Sequence, residues 1–220
     1  QLPAHPLFQS QSPADSGSRA VTALLAGIGG VDEVGRGPLA GPVVAAVVVL
    51  APGQSIDGVR DSKQLTPKRR EVLAAAIRAE ALGWAIAACT PAEIDELNIL
   101  AASLLAMRRA VDALDRRPQH LRIDGNRAPE LGDYPGRVET VVGGDGSCVA
   151  IGAASILAKV SRDAEMCEMD ARYPGYGFAR HKGYPTPAHR EALLRLGPCD
   201  IHRESFAPVR TARARAEALA

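Results

Sequence analysis

The sequence predicts an α/β protein built on one mixed β-sheet, and three observations carry that prediction. A short strand through Val31 to Val34 and a β-rich run of Val and Ala at 43–50 come first. Helical periodicities then alternate with further short apolar runs between Thr66 and Gly197. No internal repeat interrupts this order. Strands at the start, followed by strands alternating with helices, are the pattern of a mixed sheet covered by helices.

Residues 1–22 contain Pro3, Pro6 and Pro13 among several Gln and Ser, lack hydrophobic periodicity, and read as a flexible extension outside the fold. From Gly27 the pattern changes. A strand through Val31 to Val34, a glycine-rich turn and the run from Val43 to Leu50 read as a hairpin of buried strands. Thr66-Pro67 opens a helix running to about Ala81, because Thr caps free N–H groups and Pro is tolerated at the first helical position. A strand near 84–88 follows. Thr90-Pro91-Ala92-Glu93 has the form of a capping box, and it starts a longer helix whose apolar face takes Ile94, Leu97, Ala101, Leu104, Leu105, Val111 and Leu114. A strand at 121–123 delivers Asp124, and one at 138–142 delivers Asp145 through Gly143-Gly144. A helix is expected from about Val149 to Arg172, and another from the Thr186-Pro187 cap to near Gly197-Pro198.

A chain of 220 residues with 46% hydrophobic content fits one domain, alone or with a small appendage, and can bury a sizeable core. Formal net charge is only +1, so attraction to a polyanion must come from local clusters of Lys and Arg. Lys63, Lys68, Arg69, Arg70, Lys159, Arg162, Arg180 and Lys182 are the candidates, with Lys68, Arg69 and Arg70 also fitting a solvated helix face. Cys89, Cys148, Cys167 and Cys199 form no C-x-x-C pair, which leaves a zinc or redox motif without support and reduced thiols as the expectation. The apolar run 43–51 is less than half of the roughly 20 residues needed to cross a bilayer, and no charged-then-apolar leader opens the chain. A soluble, cytoplasmic protein is expected.

The run from Gly30 to Pro42 sets two adjacent carboxylates, Asp32 and Glu33, before a glycine-flanked arginine, Gly35-Arg36-Gly37. Carboxylates supply the hard oxygen ligands that Mg²⁺ prefers, and the glycines let backbone approach a ligand closely. The combination points to a phosphodiester-cutting site. A tight turn would also explain the glycines, although not the arginine. Asp32, Glu33, Asp124 and Asp145 all fall at ends of predicted strands, where a sheet gathers distant residues at one edge. Such like charges are costly to crowd unless a cation neutralises them. Adjacent strand residues point to opposite faces, so the strand must end or twist at Asp32-Glu33, or Glu33 must serve a second metal or act through its carbonyl. Asp145 also suits a turn or cap, and Asp163 reads as a salt-bridge partner within its helix. His181, His189 and His202 lack the partnered Ser or Cys of a nucleophilic triad.

Five blocks share one order with a known family: Gly30 to Ala46, Asp61-Ser62-Lys63-Gln64-Leu65-Thr66, Ile123-Asp124-Gly125-Asn126, Ala153 to Val160, and Tyr176 to Thr186. From about Ala26 to about Arg210 the chain resembles bacterial ribonuclease HII. The resemblance implies a ribonuclease H-like mixed sheet flanked by helices, with a helical C-terminal portion. It divides the chain into an extension (1–22), a catalytic domain (26–210) and a tail (211–220). It implies an endonuclease that hydrolyses the RNA strand of RNA/DNA hybrids and cuts 5′ to ribonucleotides embedded in duplex DNA. The reaction would use two ions, Mg²⁺ or Mn²⁺, and leave 3′-hydroxyl and 5′-phosphate ends. Asp32, Glu33, Asp124 and Asp145 would be the catalytic and metal-binding acids. Gly35, Arg36, Gly37, Lys63, Lys159, Lys182 and Tyr184 would contact substrate. Tyr184 would pack on the sugar after the ribonucleotide, a buried core tyrosine being the competing reading. A monomer is expected. Gln64 and Gly143 stand where the family often has lysine, which predicts weaker phosphate attraction. Two rival readings are a hybrid-binding module without chemistry, which the presence of all four acids disfavours, and an ATP-binding relative, which would lack its G-x-x-x-x-G-K-[ST] loop.

Overall fold

The computed structural model describes residues 9–11, 24–59 and 65–218. Its strands are β1 (Gln9–Gln11), β2 (Leu25–Val34), β3 (Val43–Leu50), β4 (Gly83–Cys89), β5 (Pro118–Asp124) and β6 (Arg137–Val141). Its helices are α1 (Pro67–Glu80), α2 (Pro91–Leu97), α3 (Ile99–Asp112), α4 (Gly144–Ser147), α5 (Val149–Arg172), α6 (Phe178–His181), α7 (Pro187–Leu196) and α8 (Ala207–Ala218).

The six strands lie in the order β1-β4-β3-β2-β5-β6. β2, β3 and β4 pair antiparallel, whereas β5 runs parallel to β2 and β6 parallel to β5. The sheet is therefore mixed, as expected. Every residue of β3 and β4 is buried, because helices cover both faces and leave no solvated side. Val44, Ala46 and Val48 of β3 pack with Leu73 and Ile77 of α1 and with Ala154 and Leu157 of α5. Val43, Ala45, Val47 and Val49 face the other way, onto Ala102, Ala106 and Ala110 of α3.

Four local expectations are corrected. The single helix expected after Thr90 is two, because Asn98 takes φ 72°, ending α2 with its N–H on the Ile94 carbonyl and capping α3 with its side chain. Asn tolerates the left-handed region better than most residues. The buried face of α3 is made by Ala102, Ser103, Ala106, Met107, Ala110 and Val111, while Leu104 and Leu105 are only partly buried. Gln9–Gln11, expected outside the fold, pairs as an edge strand with Trp84, Ala85 and Ile86 of β4. Edge pairing uses main-chain groups and needs no hydrophobic pattern. The rest of the proposed extension lies outside the described residues. The expected tail from 211 begins inside α8, whose Val209 and Ala212 pack against Leu39 and Leu193.

Two caps follow the sequence closely. The Thr66 and Thr186 side chains accept from the N–H groups of Arg69 and His189, each ahead of a proline in the first turn.

Candidate active site

Parallel pairing of β2 and β5 brings their carboxyl ends to one edge of the sheet, and acids end both strands. The β2–β5 ladder stops at Val31↔Ile123, while β2 continues beside β3 to Val34↔Val44. From Asp32 onward the β5 side of β2 has no strand partner among the described residues. Asp32 pairs with Ala46 on the α5 face and Glu33 with Ala45 on the α3 face, so the two alternate as strand residues must. Both nevertheless line the same cavity, because the vacated edge lets side chains from either face reach the notch. The Glu33 N–H donates to Asp32 Oδ1 at 2.7 Å beside it.

That cavity has a volume of about 410 Å³ and is lined by Asp32, Glu33, Val34, Asp124, Ser155, Lys159 and Tyr184. Helix α5 supplies Ser155 and Lys159, which share one helical face four residues apart. The helix comes close because β2 has Gly30 there: a Cβ at Gly30 would lie 2.1 Å from the backbone of Ala150 and Ile151.

Electrostatics mark the spot. Asp32 is only 6% exposed. Burial, reinforced by the Glu33 and Asp124 charges and opposed by a hydrogen bond from Ser155, pushes its carboxyl up to about 7. Burial also raises Glu33, against the pull of Arg36, whose Nη1 lies 3.3 Å from Glu33 Oε1. Asp124 Oδ1 accepts the Gly144 N–H at 2.7 Å. One oxygen of Asp124 is thereby held by the turn into α4.

The other predicted residues distribute as follows. Asp145 sits in the first turn of α4, one residue beyond Gly144, and does not line the cavity. Lys159 also pairs with Asp163 at 2.8 Å, which agrees with the structural role expected of Asp163. Tyr184 is 37% exposed, with Lys159 Nζ and Arg162 Cζ each 6.0 Å from its ring centre, so it is not a core tyrosine. A Cβ at Gly37 would lie 3.8 Å from the Tyr184 ring, which places the Gly35–Gly37 turn beside it. Lys182 does not line the cavity, and its Nζ donates to Cys167 Sγ at 2.7 Å. Lys63 and Gln64 lie outside the described residues.

Two cations differ from expectation. Arg162 is fully buried and donates to the carbonyls of Pro42, Lys182 and Ala40. It is turned into the fold rather than toward a phosphate. Arg70 leaves the solvated face of α1, donating to the Leu65 carbonyl and lying 3.9 Å from Asp163.

The three histidines form a buried support beneath Tyr184. The Cys199 N–H donates to His202 Nδ1, His202 Nε2 meets His189 Nε2 at 3.1 Å, and His189 Nδ1 meets the Tyr184 carbonyl at 2.9 Å. One assignment satisfies all three contacts: His202 carries its proton on Nε2 and His189 on Nδ1, both rings neutral. Burial, with the neighbouring imidazoles adding to it, pushes both down to about 4.

The donor set fits a hard divalent cation, because buried carboxylate oxygens with raised proton affinity are groups that a cation would stabilise. Among the described residues, no three His, Cys, Asp or Glu side chains form a ready-made ligand cluster. Mg²⁺ commonly uses one or two carboxylates, several waters and substrate phosphate, so a partial set of protein ligands suits it.

A family model described as Ribonuclease HII matches residues 29–209. The chain belongs to the ribonuclease HII family. Ribonuclease HII from Nitrosococcus oceani is 56% identical over 196 residues, covering 89% of this chain and 96% of that protein. Ribonuclease HII from Laribacter hongkongensis is 57% identical over 182 residues, covering 82% and 91%. The crystal structure of the ribonuclease H2 from Pyrococcus horikoshii OT3 matches with a TM-score of 0.74 at 30% identity, over 87% of this chain and 99% of that one. As a member of this metal-dependent family, the chain is a ribonuclease H, an endonuclease acting on RNA/DNA hybrids. Among the described residues no helix is long and apolar enough to cross a membrane.

Ser155 is the cavity residue that the sequence did not single out, although its i, i+4 spacing from Lys159 signalled it.

Proposed function

We propose that the enzyme, besides acting on hybrids, cuts 5′ to single ribonucleotides embedded in duplex DNA, by two-metal-ion hydrolysis with Mg²⁺ or Mn²⁺, leaving 3′-hydroxyl and 5′-phosphate ends. The observation that carries this reading is the convergence of Asp32, Glu33 and Asp124 on one cavity that Lys159 and Tyr184 also line. Bound divalent cations would supply an activated water and neutralise charge on the leaving oxygen. Asp32 and Glu33 offer their oxygens from the open edge of β2. Asp124 offers the oxygen that Gly144 does not hold. Asp145 completes the acid set from α4, on the strength of its motif spacing rather than of the cavity lining.

Lys159 places positive charge where a phosphate would lie, and Lys182 and Lys63 are assigned to phosphate contact by their places in the family's motifs. The Gly35-Arg36-Gly37 turn reads the 2′-hydroxyl, the group that separates RNA from DNA. Tyr184 packs on the adjoining sugar. The protein acts as a cytoplasmic monomer.

The deciding assay offers a duplex carrying one ribonucleotide, with Mg²⁺ and with chelator. Nicking 5′ to the ribonucleotide, lost with chelator, is expected; binding without nicking would confine the enzyme to RNA/DNA hybrids. Asp124→Asn should abolish cleavage while keeping duplex affinity within about tenfold, because the amide is isosteric but a poorer cation ligand. Wild-type turnover in that variant removes Asp124 from the mechanism.

A further inference from the structure

Arg203 is fully buried, and no carboxylate accepts from it among the described residues. Its guanidinium donates to four main-chain carbonyls instead: Nε to Gly41 at 3.0 Å, Nη1 to Arg36 at 3.0 Å, and Nη2 to Gly35 at 2.6 Å and Pro42 at 3.2 Å. These occupy four of the five guanidinium N–H donors. The backbone of the same segment pairs with the same loop, the Gly41 N–H donating to Ile201 and the Arg203 N–H to Leu39. The face of the guanidinium lies 5.2 Å from the Phe206 ring centre. Arg162 backs it, donating to Pro42, Ala40 and Lys182. Burial, then the Arg162 charge, pushes Arg203 down to about 9, which still leaves it protonated near neutrality.

The consequence for the loop follows from peptide geometry. No peptide bond among the described residues is cis. In a planar trans peptide the C=O and the next N–H point in opposite directions. With the Gly35 and Arg36 carbonyls turned inward onto Arg203, the N–H groups of Arg36 and Gly37 must turn outward. Both residues are exposed, and neither N–H donates to another described residue. Gly35 takes φ 96°, and a Cβ there would lie 2.3 Å from Arg162 Nε, so the turn is moulded against the buried arginines.

We infer that Arg203 is a positioning residue for ribose discrimination: by holding the Gly35 and Arg36 carbonyls it aims two successive main-chain donors at the substrate sugar. This rests on the assignment of the Gly35–Gly37 turn as the ribose reader. Lys offers a point charge rather than a fork, so Arg203→Lys keeps the charge and loses the template.

The test measures kcat/KM on a duplex with one embedded ribonucleotide, and the inhibition constant of the all-deoxy duplex of the same sequence. In Arg203→Lys, kcat/KM should fall about 100-fold through misplacement of the donors. Affinity for the all-deoxy duplex, set by phosphate contacts, should stay within about twofold. An unchanged kcat/KM, or a parallel loss in both quantities, overturns the inference. Gly37→Pro, which removes one of the two main-chain donors, and Tyr184→Ala are measured alongside. If they leave discrimination at the wild-type level, the ribose-reading assignment itself fails; if they lower it and Arg203→Lys does not, only the role of Arg203 fails. Should Arg203→Lys give no cooperative melt, Phe206→Leu carries the test, since it keeps the guanidinium and removes the ring beside it. It should lower ribonucleotide cleavage about threefold with all-deoxy affinity unchanged. No change, or an equal loss in both, again overturns the inference.

Discussion

Asp32 is a carboxyl group that the fold denies water, and its proton affinity records the cost. Its value is about 7 in the folded chain against an ordinary 3.8, so between those limits the folded state holds a proton that the unfolded state has released. Stability of metal-free protein must therefore fall as pH rises through that window. Asp32→Asn removes the ionisation. In chelator at pH 8 it should melt higher than wild type by at least about 3 °C, with the gap closing near pH 4 and narrowing when Mg²⁺ is added. Equal melting temperatures at pH 8 would show that Asp32 is not strained by burial. The acid pair was legible in the sequence because Asp32 and Glu33 end an apolar run before a glycine-flanked arginine. The way both reach one cavity was not, because it depends on β5 leaving β2 at Ile123.

The element that sets the site is the packing of α5 on β2. Gly30 permits that packing, since any side chain there would meet the backbone of Ala150 and Ile151. Gly30→Ala should destabilise the fold by about 2 kcal/mol or more through overpacking. It should also lower turnover at temperatures where the variant remains folded, because Ser155 and Lys159 move with the helix. A denaturation curve with an unchanged midpoint would contradict the close approach. Element boundaries marked by local chemistry read well: Thr66 and Thr186 cap their helices as their sequences imply, and α5 spans 149–172 as expected. Boundaries set by context read poorly. Asn98 breaks a continuous apolar periodicity with one left-handed residue, and β1 joins the sheet through backbone alone.

Across the whole molecule, the chain after α5 brings Tyr184 to the cavity and sets three histidines behind it. His181 and His189 stack at 4.3 Å, and His202 joins from the segment before α8. His189 and His202 titrate near 4, below the ordinary 6.5. The unfolded chain thus binds more protons between those values, and stability present above pH 6.5 is lost as pH falls toward 4. Melts from pH 7 to pH 4.5 should show that loss, and His202→Gln should shrink it. An undiminished drop in the variant would place the acid sensitivity elsewhere. Phosphate attraction is also a property of the whole surface, because net charge is only +1. Gly143 takes φ 67° with open space around a Cβ, so a lysine fits there at a cost of about 1 kcal/mol in backbone strain. Gln64→Lys with Gly143→Lys should steepen the fall of log affinity with log salt by about one to two phosphate contacts. An identical slope contradicts the weak-attraction reading.

Taken alone, the sequence determined the α/β class, the order of most strands and helices, the family, and the acids at the strand ends. Each of these is written in local periodicity, capping chemistry or contiguous motifs, which survive as linear patterns. Only the tertiary structure decided which charges serve the fold and which line the cavity. Arg162 and Arg203 look in the chain like any surface cations, yet both are fully buried on loop carbonyls. Arg203 Nη2 reaches a carbonyl 168 residues away. A side chain's partner at that separation is set by three-dimensional packing, and no spacing rule along the chain encodes it.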